Sequence, residues 1–243
     1  MHFLIPAAGR GRRMGSTVNK LLLPLLDRPI LAWTLQAADQ ASSIRWIGLL
    51  AQKSDWPAME KILQKFPLSK PVQLIEGGET RQASVYEGLK YLQAQGGISH
   101  VLIHDGARCL ATPALLDRCS AALAQVDGLI AAVPVKDTIK VVISEPGDAL
   151  PQIESTPNRK HLWAAQTPQG FALSLLADAH HKAVEVGWQV TDDAALFEKL
   201  GLPVHILPGE ESNLKVTTPL DLAIAQYILK VRLQQATTPA PPA

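Results

Sequence analysis

The residues best suited to chemistry stand at the start of the chain. Met1 to Lys20 reads MHFLIPAAGRGRRMGSTVNK. Gly9, Gly11 and Gly15 let a backbone turn tightly and approach a ligand closely. Arg10, Arg12, Arg13 and Lys20 add positive charge, and the stretch holds no carboxylate. Backbone N–H groups in such a loop converge on an anion, and the cations neutralise it. The combination suits a polyphosphate. Two common phosphate loops do not fit. The dinucleotide pattern G-x-G-x-x-G fails because the glycine after Gly11 is Gly15. The P-loop fails because Gly15 is followed by Ser16 instead of a lysine. The bland alternative is a solvated basic turn; glycine placement, charge and the apolar run before it favour the phosphate loop.

A second group is His104-Asp105-Gly106-Ala107-Arg108, behind the apolar run Val101-Leu102-Ile103. A carboxylate at a strand end can hold Mg²⁺, directly or through water, or can cap the next turn. Gly106 and Ala107 leave room for a ligand, and Arg108 can grip an oxyanion with two donors. Gly77-Gly78-Glu79-Thr80-Arg81-Gln82-Ala83-Ser84 is a further glycine-led helix start, as readily an ordinary turn as a ligand-facing one. Thr191-Asp192-Asp193 reads as a helix cap, with the threonine as N-cap. Lys215 sits in an apolar run, either a surface lysine or a site cation. Asn158 to Phe171, with Trp163, Gln166, Thr167, Pro168 and Gln169, reads as a loop suited to a ligand or a dimer partner.

These groups need a scaffold, and the sequence predicts an α/β one. Phe3 to Ile5 is a short buried strand that Pro6 ends. Leu21 to Leu26 is a short extended piece. Helices are predicted at 30–41, 56–65, 81–95, 112–124, 174–186 and from 191 to 200, with strands at 46–50, 72–75, 101–104, 129–133 and 213–216. A last helix opens at Thr218-Pro219-x-Asp221, a capping box. The alternation predicts a single Rossmann-like three-layer α/β/α domain, residues 1–232, around a mostly parallel mixed sheet. One segment departs from it. Val135–Val142 and Gln152–Ser155 flank the turn-like Glu145–Ala149, which reads as a hairpin without a core of its own. The arm, about 134–160, is expected to project and to need a partner surface; the alternative is that it folds back on its own domain. Residues 233–243, ending in a Pro-rich run, are expected to be disordered.

Composition excludes several classes. With 243 residues, 47% hydrophobic and 19% charged, the chain suits a soluble globular enzyme. A net charge of +1 offers no bulk field for nucleic acid or membrane. Cys109 and Cys119 make neither a disulfide framework nor a zinc site. No apolar run nears the roughly 20 residues of a membrane span, and the start is too short and basic for a signal peptide. The expected location is cytoplasmic.

The motifs taken together resemble the 2-C-methyl-D-erythritol 4-phosphate cytidylyltransferases of non-mevalonate isoprenoid biosynthesis. They are P-A-A-G-x-G-x-R-M with Lys20, G-G-x-x-R-x-x-S at 77–84, H-D-x-A-R at 104–108 and V-P-V-x-D-T-I-K at 133–140. N-R-x-x-L-W-x-A-Q-T-P-Q at 158–169, T-D-D at 191–193 and N-x-K-V-T at 213–217 complete the set. The resemblance implies transfer of a cytidylyl group from CTP to the erythritol phosphate, with Mg²⁺ or another divalent cation. It implies that Arg13 and Lys20 stabilise the reacting α-phosphate, and that Arg159 and Lys215 position the attacking phosphate. Pro6, Ala7, Ala8, Gly9, Gly11, Gly78, Glu79, Ser84, Asp105 and Gly106 would bind the nucleotide, with Asp105 nearest the metal. Arg108, Thr191 and Lys215 would bind the second substrate from one subunit. Thr138 and Arg159 would come from the arm of the other, making the enzyme a homodimer.

Two departures stand out: Gly106 and Cys109 replace an alanine and a proline usual in the family, which is expected to loosen that loop. A cyclase domain, fused to some relatives, is not expected in a chain of this length. Two other readings are a cytidylyltransferase for another polyol phosphate, such as ribitol 5-phosphate, and a non-catalytic nucleotide-binding protein on the same fold. Joint retention of Arg13, Lys20, Asp105 and Lys215 weighs against the second, since binding alone does not need all four.

Overall fold

A computed structural model describes residues 1–8, 19–143 and 150–237. Gly9, Gly11, Arg13 and the turn at 145–149 lie outside the described residues. The described strands are β1 (His2–Pro6), β2 (Pro24–Leu25), β3 (Arg28–Pro29), β4 (Trp46–Ala51), β5 (Val72–Glu76), β6 (His100–Ile103), β7 (Gly128–Pro134), β8 (Val141–Ile143), β9 (Gln152–Ser155), β10 (Trp163–Ala172) and β11 (His205–Pro208). The helices are α1 (Ile30–Gln40), α2 (Trp56–Lys65), α3 (Arg81–Gln95), α4 (Pro113–Ala122), α5 (Leu173–Val186), α6 (Ala194–Lys199) and α7 (Pro219–Thr237).

Seven strands form one sheet in the order β11-β7-β10-β6-β1-β4-β5. All are parallel except β10, which runs antiparallel to both β6 and β7. Strand alternation splits the core into two layers. Phe3, Ile5, Ile47, Leu49 and Leu102 face one side with α1, α2, α4 and α7. Leu4, Leu50, Val101 and Ile103 face the other with α3, α5 and α6. The chain winds outward from β1 through β4 and β5, then returns to β6 on β1's other side. Beyond the carboxyl ends of β1 and β6 the strand order reverses, which is where open α/β sheets bind ligands.

Several local expectations are corrected. Residues 158–171 are mostly strand: β10 is internal, and Gln166 through Ala172 are buried. Pro168 sits within a register shift between Ala165 and Gln169, and Gly170 pairs with Leu129 and Leu102, so burial and pairing override poor strand propensity. Residues 213–216 are not a strand. Asn213 is fully buried and its Nδ2 donates to the Thr167 carbonyl (2.8 Å), so a side chain holds this segment in place. The sheet edge is instead β11, which the sequence reading missed: it is mostly exposed and ends in Pro208, so it carries no alternating pattern. The last helix continues to Thr237, past the boundary read at 232, because Leu233 to Ala236 are good helix formers.

The hairpin forms a two-stranded ladder of its own, β8 with β9. Every residue of both strands is exposed, including Val142, Ile143 and Ile153.

Candidate active site

The switch point carries a cleft of about 200 Å³ lined by Arg81, Asp105, Arg108, Thr167, Gln169, Thr191, Asp192 and Lys215, among others. Its lining groups arrive from several different elements. Asp105 follows β6. Its Oδ1 accepts from Nε of Arg81 (2.9 Å), and its Oδ2 pairs with Nζ of Lys215. Burial alone would raise the Asp105 pKa. The two cations outweigh burial and hold the carboxyl well below the usual range, so it is ionised.

His104 anchors the strand end. Thr167 Oγ1 accepts from the Asp105 N–H (3.0 Å) and lies 3.0 Å from His104 Nδ1, while His104 Nε2 faces the Arg108 carbonyl at 3.1 Å. If Thr167 donates to Nδ1, the imidazole carries its proton on Nε2 and donates to Arg108. Burial lowers the His104 pKa to about 4, so this ring is neutral at pH 7. The motif's His is therefore a scaffold for Asp105 and not an acid or base.

The loop after β6 is well anchored. Thr34 Oγ1 donates to the Gly106 carbonyl (2.8 Å), and Cys109 is buried. A Cβ at residue 106 would approach Leu21 Cδ1 to 2.8 Å, so glycine makes room for that leucine. The expected loosening finds no counterpart in these contacts. Burial pushes the Cys109 and Cys119 thiols up to about 12, which leaves both unreactive. Arg108 spends its guanidinium on the carbonyls of Asn213 (2.7 Å) and Ala165 (3.2 Å), and burial lowers its pKa. It spans the two segments that frame the cleft.

Lys20 and Lys215 come from opposite ends of the sequence. Lys20 Nζ donates to the Val216 carbonyl (2.9 Å), and Val216 N–H donates to the Ala107 carbonyl (2.9 Å). The residue before Lys20 is decisive here and escaped the sequence reading. Asn19 is buried; its Nδ2 donates to the Ala7 carbonyl (2.7 Å) and to Asp55 (2.8 Å), and its Oδ1 accepts from Leu21 N–H. Asn19 thus ties the chain entering Lys20 back to the end of β1.

Ala8 lies against the turn at 77–78: a Cβ on Gly77 would come within 3.1 Å of the Ala8 Cβ. Gly78 is similarly constrained, since its Cβ would meet that of Ala83 at 2.5 Å. Ser84 is fully buried, and its hydroxyl lies 2.8 Å from the Thr80 carbonyl and 3.1 Å from that of Gly78, sharing its one proton between them, so it shapes this turn from beneath. Glu79 is exposed beside it.

A family model described as 2-C-methyl-D-erythritol 4-phosphate cytidylyltransferase (IspD) matches residues 1–231. The chain belongs to this cytidylyltransferase family. An enzyme of that name from Synechococcus sp. (strain JA-3-3Ab) is 69% identical, over 97% of this chain and 100% of the relative. The crystal structure of 4-diphosphocytidyl-2C-methyl-D-erythritol synthase from Anaerococcus prevotii superposes with a TM-score of 0.80 at 32% identity. The match covers 94% of this chain and 97% of that one. The cytidylyltransferase from Thermus thermophilus gives 0.71 at 31% identity, over 94% and 98%.

Of the cytidylyltransferase site residues expected from sequence, one chain brings Asp105, Arg108, Thr191 and Lys215 into the cleft. Lys20 joins them through its bond to Val216. Pro6 ends β1, and Ala7 and Ala8 follow it, with Ala8 next to the 77–78 turn. Thr138 and Arg159 are exposed on the arm and do not line the cleft; Arg159 Nη1 donates to the Lys136 carbonyl (2.7 Å). Thr191 is no helix cap. Helix α6 starts after Asp193, and Asp192 accepts from Ala195 N–H (3.2 Å), which leaves Thr191 exposed at the rim. Gln166, Thr167 and Gln169, read in the sequence as part of a loop suited to a ligand or a dimer partner, line the cleft, and their residues knit β10 to the segments that carry Lys215 and Thr191.

The residues present fit a divalent ion delivered with a polyphosphate. Among the described residues no three His, Cys, Asp or Glu side chains form a cage. Mg²⁺ commonly takes only one or two carboxylates, with substrate phosphates and water completing the shell. Asp105 supplies one ionised carboxylate. It already accepts from Arg81 and Lys215, yet a carboxylate has about four lone-pair sites, so acceptor capacity remains.

Proposed function

We propose that this protein joins CTP and 2-C-methyl-D-erythritol 4-phosphate, giving 4-diphosphocytidyl-2-C-methyl-D-erythritol and pyrophosphate, a step of non-mevalonate isoprenoid biosynthesis. The observation that carries the reading is the meeting of Asp105, Arg108, Thr191 and Lys215 in one cleft at the switch point, with Lys20 beside it, in a chain of this family.

A phosphate oxygen of the erythritol phosphate attacks the α-phosphorus of CTP. The new P–O bond forms as the bond to the β-phosphate's bridging oxygen breaks, and the electron pair leaves with pyrophosphate. A phosphate is already anionic, so no strong base is required. Catalysis then rests on alignment and on neutralising the crowded negative charge. Lys20 and Arg13 would stabilise the α-phosphate, and Gly9 and Gly11 would bind the triphosphate, the role that the family resemblance implies for them. Ala7, Ala8, Gly78 and Glu79 frame the base, and the small side chains suit a single ring. Asp105 would hold the Mg²⁺, directly or through water, and the ion when bound would neutralise phosphate oxygens. Lys215 and Arg108 face the second substrate with Thr191 at the rim. Thr138 and Arg159 arrive on the arm of a second subunit, and the exposed apolar residues of β8 and β9 are the surface that such a partner would cover.

A pyrophosphate-release assay with CTP and a panel of polyol phosphates tests the reaction. Turnover is expected with the methylerythritol phosphate and little with ribitol 5-phosphate. The reverse preference would overturn the assignment of substrate.

A further inference from the structure

Arg81 has no part in the mechanism above, yet it joins two buried carboxylates at the cleft. It is the first residue of α3, and Thr80 caps that helix by accepting from Ala83 N–H (3.0 Å). Its Nε donates to Asp105 Oδ1 (2.9 Å), and its Nη1 pairs with Asp193 Oδ2 at 2.8 Å. Asp193 is buried, and its other oxygen lies 3.1 Å from Nε2 of the equally buried His180 on α5. The ring of His180 stacks on Tyr86 of α3. A chain His180–Asp193–Arg81–Asp105, buried except at the partly exposed Arg81, therefore runs from the far layer to the cleft.

The two carboxylates belong to different segments of the cleft: Asp105 lines it, and Asp193 lies buried directly behind the lining residues Thr191 and Asp192. Asp105 follows β6, on the nucleotide side in the proposed function. Asp193 closes the turn that presents Thr191, on the side of the second substrate. The first turn of α3 reinforces that second attachment. The Gln82 side chain donates to the Trp188 carbonyl (3.0 Å) and accepts from Val190 N–H (3.1 Å). A planar guanidinium can engage two carboxylates at once, and an ammonium on a flexible stem cannot do so with the same geometry. Each buried carboxylate also requires a cationic partner, so the bridge holds both in place.

We propose that Arg81 is a positioning residue for the transfer. One guanidinium fixes Asp105 for the nucleotide and, through Asp193, fixes Thr191 for the polyol phosphate. This rests on the two-sided reading of the cleft given under the proposed function.

The test uses the full chain with Arg81→Lys, Arg81→Met, Asp193→Asn and the double variant Arg81→Lys/Asp193→Asn. Each is measured for thermal midpoint, kcat and both KM values, and for CTP binding by calorimetry with Mg²⁺ and no second substrate. Arg81→Lys is expected to stay folded, to lose about 10- to 100-fold in kcat and to weaken CTP binding about tenfold, the scale seen when an outer partner of a site is removed. Its KM should rise for both substrates, and Arg81→Met should be worse. Asp193→Asn should raise the KM for the polyol phosphate most, because it leaves the Arg81–Asp105 bond in place. The double variant should be scarcely worse than Arg81→Lys alone, because both act through one bridge. Multiplying effects in the double variant, or a lowered midpoint with wild-type kinetics and CTP affinity, would overturn the proposal. If Arg81→Lys does not fold, wild-type KM values in Asp193→Asn overturn it just as well. A wild-type protein inactive on this substrate pair would contradict the proposed reaction. The CTP-binding ratio would still report on Arg81.

Discussion

The cleft and the arm are built on opposite terms. In the cleft, charged groups are met by partners: Asp105 by two cations, Arg81 by two carboxylates, Arg108 by two carbonyls. Among the described residues the arm has a two-stranded ladder and a few polar contacts at its base, with Val142, Ile143 and Ile153 about half exposed and Leu150 91% exposed. A two-stranded hairpin is marginal on its own, and a row of exposed apolar residues is a surface awaiting cover. The cleft is thus settled by its own chain, and the arm is not. Thr138 and Arg159 stand on the unsettled part. Under the proposed function, one site would combine the cleft, held by contacts within its own chain, with an arm whose apolar residues await a partner.

The largest expected effect breaks the rigid half chemically. Lys20→Ala should lower kcat by about 10²–10³, roughly 3–4 kcal/mol, as the loss of one oxyanion donor does. Stability should change little, since Asn19 still ties the chain to β1. Steady-state kinetics and a thermal melt on the same preparation check this, and a wild-type kcat would contradict it.

The next effect exploits the buried imidazole behind Asp105. His104 is 1% exposed, and its folded pKa is lowered to about 4 by burial. The unfolded chain, with an imidazole near pH 6.5, binds a proton that the folded state refuses. Stability should therefore fall as pH drops from about 6.5 to about 4, by about 3 kcal/mol in total. His104→Asn should flatten that part of the denaturant-melt profile. Asp105 and Asp193 have lowered pKa values, so their stabilisation persists above the unfolded carboxyl value and is lost only as pH falls below about 4. The two windows are separable, and an unchanged slope in His104→Asn would show that another group is responsible.

The smallest effect on the protomer belongs to the arm. Ile153→Ser should alter protomer stability by no more than about 0.5 kcal/mol, as exposed positions do. The same kind of truncation in the core, Leu102→Ala, should cost about 2–5 kcal/mol. Ile153→Ser should nevertheless weaken self-association in sedimentation velocity. Full retention of dimer affinity would mean that the arm's apolar face is not the contact.

Much of this was legible in the sequence. The strand-and-helix rhythm, the position of Asp105 after β6 and the face Val85–Leu89–Leu92 of α3 all follow from apolar periodicity, which burial reproduces. What escaped was set by long-range contacts. β10 carries glutamine, proline and glycine where a strand former is expected, and only its neighbours β6 and β7 make it a strand. Asp192 and Asp193 look alike as capping residues. One caps α6, and the other is buried between Arg81 and His180, a distinction that depends on α3 and α5. Asn19 gave no signal, because its partners Ala7 and Asp55 lie 12 and 36 residues away.

A site shared between two chains has one direct test. Arg159→Ala and Lys20→Ala should each be nearly inactive alone, for they damage different halves of the same site. Mixed dimers would hold one site with both defects and one with neither. Co-folding the two variants in equal amounts should give about half mixed dimers by random pairing, and activity should recover to about a quarter of wild type if the sites act independently. Recovery to that level is the outcome expected of a shared site. Activity that stays at the single-variant level, with mixed dimers confirmed by mass spectrometry, would refute sharing and place Arg159 in its own chain's site.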